Sequence, residues 1–207
     1  MTHGVPPGMT QSSGLGALAW PLRTERLSIR RARPADAPLT WPYRRREDVA
    51  RWLPMLPSTL EDHCEIFCAP RRLATTLLVE LRDGGAADGS VIGDMKFDVG
   101  DGWAQDEVLA AAQGVQAEIG WAFDPAFHGR GYATEAVREI LRLAFAELRL
   151  RRVEAYCFAE NEPSWRLMER VGMRREAHTI ADGLHRDGTW RDGLTYALLA
   201  EEWSARA

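Results

Sequence analysis

The chain has 207 residues, 45% hydrophobic and 27% charged, with 26 basic against 30 acidic side chains. That length suits one domain with a substantial core, and a net charge of −4 argues against a general nucleic-acid binder. There is no apolar run of bilayer length and no basic, apolar, cleavable opening, and three cysteines cannot build a full disulfide framework, so a cytoplasmic protein without a membrane partner is expected.

Gly4, Pro6, Pro7, Gly8, Gly14 and Gly16 among Ser, Thr and Gln predict a flexible tail over residues 1–20, with the folded domain over 21–207. Leu27 and Ile29 alternate with Ser28 and Arg30, which predicts a first strand over 26–31. Asp36 can cap a helix, but Pro38 and Pro42 are expected to break up the segment after it. Ser58 and Glu61 have the spacing of a capping box, so a helix is expected to about Cys68. Leu77, Val79 and Leu81 predict a second strand, and Val91, Gly93, Met95, Phe97 and Val99 a third. Residues 100–114 read as a polar, Ala-rich connection with a short helix near 108–112. Val115, Ala117, Ile119, Trp121 and Phe123 predict a fourth strand.

Ala133, Val137, Ile140, Leu141, Ala144, Phe145 and Leu148 follow the 3.6-residue period and predict the best-defined helix. Val153, Ala155 and Cys157 mark a fifth strand. Trp165, Met168 and Val171 mark a short helix stopped by Gly172. Strands near 174–181 and 192–199 close the chain, with turn signals at Asp182-Gly183 and Asp187-Gly188. Strands and helices mix without strict alternation, so an α/β fold of the α+β kind is expected, not a doubly wound sheet.

The chemistry concentrates between the fourth strand and the long helix, in His128-Gly129-Arg130-Gly131-Tyr132-Ala133-Thr134. Two glycines let successive main-chain N–H groups converge, and the helix start adds unpaired donors and a positive dipole end. That is a cradle for a pyrophosphate, to which Arg130 can add a cation. An ordinary strand–helix turn has the same outline. The segment is neither G-x-x-x-x-G-K-[ST] nor G-x-G-x-x-G.

The segment resembles the acyl-CoA loop of the GNAT acetyltransferases, [QR]-x-x-G-x-[GA], with Gly131 and Ala133 at its last fixed positions and His128 where Gln or Arg is usual. Thr24-Glu25-Arg26-Leu27 with Arg33-Pro34-Ala35-Asp36 resembles the opening of the ribosomal-protein N-terminal acetyltransferase branch. Val91-Ile92-Gly93, Ala117-Glu118-Ile119-Gly120-Trp121, Glu160-Asn161-Glu162-Pro163-Ser164 through Val171-Gly172-Met173, and Asp192 to Leu198 with Glu202-Trp203 resemble its later segments. The resemblance spans roughly residues 22–203. It implies one domain with a mixed, mostly antiparallel sheet of about seven strands, flanked by helices and splayed between the fourth and fifth. It also implies acetyl-CoA as co-substrate, no metal, and an amine acceptor. The acceptor is first a protein or peptide N-terminus, second a small amine such as an aminoglycoside or polyamine. A noncatalytic acyl-CoA sensor is the third reading. An edge strand or the 100–114 segment could support a homodimer.

The implied cofactor contacts are Trp121, Ala122 and Phe123, the segment His128, Gly129, Arg130, Gly131, Tyr132, Ala133 and Thr134, and Asn161. Glu118, alternating away from Ile119 and Trp121 and sharing its face with Gly120 and Ala122, is the expected general base, or else a solvated strand carboxylate. Asp124 and Glu160 are the weaker choices. Asn161 can also cap the helix that Pro163 opens. Ser164 matches the family serine placed near the cofactor sulfur. Cys157 is expected to pack as a small apolar residue, and Cys64 and Cys68 beside His63 as structural residues, not metal ligands. Arg44-Arg45-Arg46 reads first as a solvated helix face. Trp41, Tyr43, Trp52 and Trp103 could line an acceptor cleft, and His178 and His185 could reach its mouth.

Overall fold

The computed structural model of the protein describes residues 14–82 and 84–205, so residues 1–13 of the tail expected over 1–20 lie outside the described residues. Order begins earlier than Trp20. Residues Gly14–Ala17 form a 3-10 turn, Leu15 is fully buried in the core, and the Trp20 indole donates to its carbonyl.

Eight strands form one sheet in the order β1-β2-β3-β4-β5-β6-β8-β7. They are β1 (Leu22–Arg23), β2 (Leu27–Arg31), β3 (Thr76–Leu81), β4 (Val91–Gly100), β5 (Gln116–Phe123), β6 (Arg152–Phe158), β7 (Arg174–Leu184) and β8 (Trp190–Leu199). Two-residue β1 is the strand beyond the expected seven. Every pairing is antiparallel except β5 with β6. That parallel ladder joins Gln116, Ala117 and Glu118 to Arg152, Val153 and Glu154 and then stops. Beyond it the two strands diverge, which is the expected splay.

One face of the sheet carries α5 (Tyr132–Arg142) and α6 (Glu162–Arg170). Val137, Ile140 and Leu141 of α5 are fully buried with Met95, Phe97 and Ile119 in the main core. Each such side chain contributes about 1.5–3 kcal/mol by leaving water. The regular helix ends at Arg142, and a π turn carries residues Leu143–Glu147, in place of the α-helix expected to Leu148. The wider turn keeps Leu143, Ala144 and Phe145 inward. After α6, Gly172 takes φ +92 and Met173 N–H reaches back to the Met168 carbonyl, which closes the helix.

The other face carries α1 (Ala37–Arg44), α3 (Leu60–Cys68) and α4 (Pro70–Thr75), with the short α2 (Glu47–Ala50) beyond; α7 (Ala200–Ser204) closes the chain with Trp203 stacked on Phe145 of the main core. Three local expectations shift here and at the C-terminal hairpin. Pro42 lies inside α1 without breaking it, since it forfeits only the bond to the first-turn carbonyl of Pro38. The α3 capping box is Thr59 with Asp62, one residue along from Ser58 and Glu61, both reciprocal bonds being 3.1 Å. β7 runs through Asp182-Gly183 with a register shift between Thr179 and Gly183, so Asp187-Gly188 supplies the only turn of that hairpin.

Candidate functional site

A cleft of about 2380 Å³ passes through the β5–β6 splay. At one end lie Gly129, Gly131 and the start of α5; at the other lie α4, the polar face of β4, and Trp52.

The loop before α5 is shaped by two glycines at φ +75 (Gly129) and +82 (Gly131), a region L side chains rarely adopt. The first main-chain bond of the helix runs from Glu135 N–H to the Gly131 carbonyl. The N–H groups of Tyr132, Ala133 and Thr134 therefore have no intrahelical acceptor and stand at the positive end of the helix dipole. The loop is braced from behind. Glu135 accepts from the Thr24 hydroxyl, the Arg26 main chain and the Arg26 guanidinium, and Arg26 also donates to the Arg130 carbonyl. Burial opposes ionisation of Glu135, but these donors together hold its carboxyl below the usual range. Arg130 is exposed over the Phe127 ring. Tyr132 is buried, with Arg26 over its ring, so its side chain serves packing. His128 turns back onto the Phe123 carbonyl, 3.1 Å from Nε2.

Asn161 and Ser164 line the same cleft at the start of α6. The Asn161 carbonyl receives the N–H groups of Ser164 and Trp165, whereas its side chain makes no capping bond. The expected cap is thus main-chain only, and the amide is left to face the cleft. Among the described residues neither that amide nor the Ser164 hydroxyl has a hydrogen-bond partner.

On the opposite face, register places Ala122 beside Asp94, Gly120 beside Lys96 and Glu118 beside Asp98. Glu118 is half-exposed and pairs with Lys96 Nζ at 2.8 Å. A Cβ at Gly120 would already touch Lys96 Cβ, at 3.8 Å, so the bare Cα keeps this position slim beside the lysine. Asp124 instead accepts from Ala126 N–H, and Glu160 pairs with Arg191; neither lines the cleft. Of the three carboxylates considered as base, Glu118 alone is placed in it. Cys157 borders the cleft, and burial pushes its thiol up to about 12.

Several expected acceptor residues are committed elsewhere. Trp41 packs at a tilt against His63, whose Nε2 meets the Thr40 hydroxyl at 2.8 Å. Trp103 is 91% exposed. His178 pairs with Asp192 at the surface. His185 is buried against Trp52 and Phe158, with Nε2 on the Arg51 carbonyl. Trp52 alone of that set of tryptophans and histidines lines the cleft. Nor is Arg44-Arg45-Arg46 a solvated cluster throughout, because Arg44 is buried on Asp94 at 2.6 Å, with Tyr43 donating to the same carboxylate. Among the described residues no group of three His, Cys, Asp or Glu is placed to hold a metal ion.

Sequence reasoning passed over Asp94, Arg72 and the Lys96 contact. The signal available for Asp94 and Lys96 was the alternation on β4, where Asp94, Lys96 and Asp98 fall between the apolar Gly93, Met95, Phe97 and Val99.

Residues 26–174 match the family model described as an acetyltransferase (GNAT) domain. The Bacillus subtilis protein described as the uncharacterized N-acetyltransferase YnaD is 44% identical over 87 residues, 42% of this chain and 51% of its own; the chain spans about half the length of the first curated relatives it matches. A crystal structure of a GNAT-family acetyltransferase from Bacillus anthracis superposes with TM-score 0.70 at 32% identity, over 86% of this chain and 98% of that one. Two more distant structures share the fold alone: a ribosomal-protein-S5-alanine acetyltransferase from Vibrio fischeri (TM-score 0.69, 18% identity, 89% and 99% coverage) and a spermidine N-acetyltransferase from Vibrio cholerae, solved with CoA and spermine (0.67, 15%, 87% and 99%).

Proposed function

Because the chain belongs to the GNAT acetyltransferase family, we propose that it moves an acetyl group from acetyl-CoA directly to a primary amine, first of all the N-terminal α-amine of a protein or peptide. The observation that carries this reading is the open β5–β6 splay, which leads from the unpaired N–H groups of α5 to Glu118 within one cleft. The three free cysteines fit the reducing cytoplasm as its place of action.

The residues fit a CoA moiety. The loop from Gly129 to Thr134 offers converging N–H donors for a pyrophosphate, with no side chain at either glycine to block it. The main chain of Trp121, unpaired toward β6, can add the pantetheine arm as a strand would, whereas that of Ala122 is turned to Asp94 of β4, so Ala122 can only border the arm. Phe123 contributes through its N–H side only, its carbonyl being taken by His128. When bound, the thioester supplies an activated acyl group. Glu118 receives the proton of the incoming amine, directly or through water. Ser164 donates toward the departing sulfur, and Asn161 holds the arm near it. No enzyme nucleophile is needed, which agrees with the raised thiol of Cys157.

Two variants test these assignments. Gly131→Asp should weaken acetyl-CoA binding at least about tenfold, or 1.4 kcal/mol. Gly131→Asn has the same outline and the same tolerance of left-handed backbone, but no charge, so it should lose less. Equal affinity of all three proteins by calorimetry would take the loop out of the site. Ser164→Ala should lower kcat more than it raises KM for acetyl-CoA; unchanged turnover with chemistry rate-limiting would leave Ser164 a packing residue.

The second acceptor class, a small amine such as a polyamine, is the substrate named for the Vibrio cholerae neighbour. The acidic pair Asp98 and Glu118 in the cleft is the feature that favours it.

A further inference from the structure

Arg72 of α4 points its side chain into the cleft from the Glu118 side of the sheet. Its Nε is buried without a hydrogen-bond partner. Its other guanidinium nitrogens make no bond or ion pair among the described residues. The neighbouring cations are all matched: Arg44 by Asp94 at 2.6 Å, Lys96 by Glu118 at 2.8 Å, Arg71 by Asp98 at 3.4 Å. Asp94, the one acid near enough to act on Arg72, already serves Arg44 and Tyr43. Burial, followed by the nearby Arg44 charge, pushes the Arg72 guanidinium down from its ordinary value, against the pull of Asp94. A half-buried guanidinium whose Nε has lost water without gaining an acceptor is costly, and proteins rarely leave one so. Here the missing partner has room to enter from the cleft.

We propose that Arg72 binds a carboxylate carried by the acceptor, so that the substrate is an amine with an acidic group near it and not a polycation. This rests on the acyl-transfer reading and narrows its acceptor. Arg is suited to the task, since its planar fork takes both oxygens of a carboxylate at once. The amine end then falls toward Glu118, on the same face of β4 and β5. Two sources supply that chemistry: a free amino acid, through its α-carboxylate, and a peptide N-terminus with Asp or Glu among its first residues.

The test is calorimetric Kd in the presence of CoA, with kcat/KM in parallel, for three sets of probes. These are a free amino acid against its amide, matched peptides with Asp or Asn in the first two positions, and spermidine. A charge-assisted pair is worth about 1.5–3 kcal/mol, so one carboxylate probe should be favoured over its neutral match by about tenfold or more. The pair that shows the preference identifies the source. Arg72→Met should erase it by weakening only the acidic probe, and Arg72→Lys should restore part of it. Arg72→Met should also melt no lower than wild type, because it removes a half-buried cation whose Nε has no partner. The proposal is overturned by a wild type that shows no preference or prefers spermidine, by a preference that survives in Arg72→Met, or by an Arg72→Met protein that is destabilised. Failure of the acyl-transfer reading looks different: no thiol is released with any probe, while the Kd comparison still reports on Arg72.

Discussion

Glu118→Gln is expected to lower kcat/KM by about 10²–10⁴-fold on a strongly basic amine at neutral pH, the usual effect of removing a general base. Gln keeps the shape of Glu and can still meet Lys96, so the loss reports proton transfer and not a rearranged cleft. The pH profile then separates acceptors. An α-amine has a pKa of about 7.7–8.0 and is partly neutral at pH 7, whereas a lysine-like amine near 10.4 is almost wholly protonated. On a peptide N-terminus the loss should be modest at pH 7 and shrink toward pH 9, where solvent has already removed the proton. On a polyamine it should stay large across the same range. Matching profiles for wild type and Glu118→Gln on every accepted amine would sink the base assignment and return attention to Asp124 and Glu160.

Asp94→Ala is expected to cost about 3–5 kcal/mol of folding stability, because it strands a buried partner. The Arg44 and Asp94 side chains are only 10% and 7% exposed, and the Tyr43 hydroxyl donates to the same carboxylate at 2.8 Å. Burial first, and then the Asp94 charge, push the Tyr43 phenol well above its ordinary value, so it stays neutral and keeps donating. The bond network fastens α1 to β4 and so holds one wall of the cleft. The Arg46–Asp48 pair, 51% and 54% exposed, provides the contrast: Asp48→Ala should cost no more than about 1 kcal/mol. Urea unfolding of the two variants measures the difference. A loss below 1 kcal/mol for Asp94→Ala would show that Arg44 finds water or another acceptor.

Alternation makes the sheet legible. β2, β4, β5 and β6 are each marked by apolar residues two apart, and α5 by its 3.6 period. The loop at Gly129 and Gly131 is legible because left-handed backbone favours glycine, and both residues take it. The features that stay hidden depend on contacts remote in sequence. Arg44 reads as one of three surface arginines until Asp94, fifty residues on, is folded against it. His185 reads as a hairpin residue until Trp52 covers it. Asn161 has the position and composition of a side-chain cap, yet a ψ of 65 gives that role to its carbonyl. The pairing of Lys96 with Glu118 needs the register of β4 on β5. Alternation on β5 alone puts a carboxylate on the cleft face but says nothing of the cation beside it.

The central claim is direct acetyl transfer within the cleft. It is tested most directly by incubating the full chain with acetyl-CoA and a peptide bearing a free N-terminus, a free amino acid or spermidine, and weighing both acceptor and protein by mass spectrometry while free thiol is counted. The predicted result is one acetyl group on an amine for each thiol released, no acetyl adduct on Cys157, and sharply reduced transfer in Gly131→Asp. A chain that binds acetyl-CoA but acetylates none of these amines, or one that first carries the acetyl group on Cys157, would contradict it.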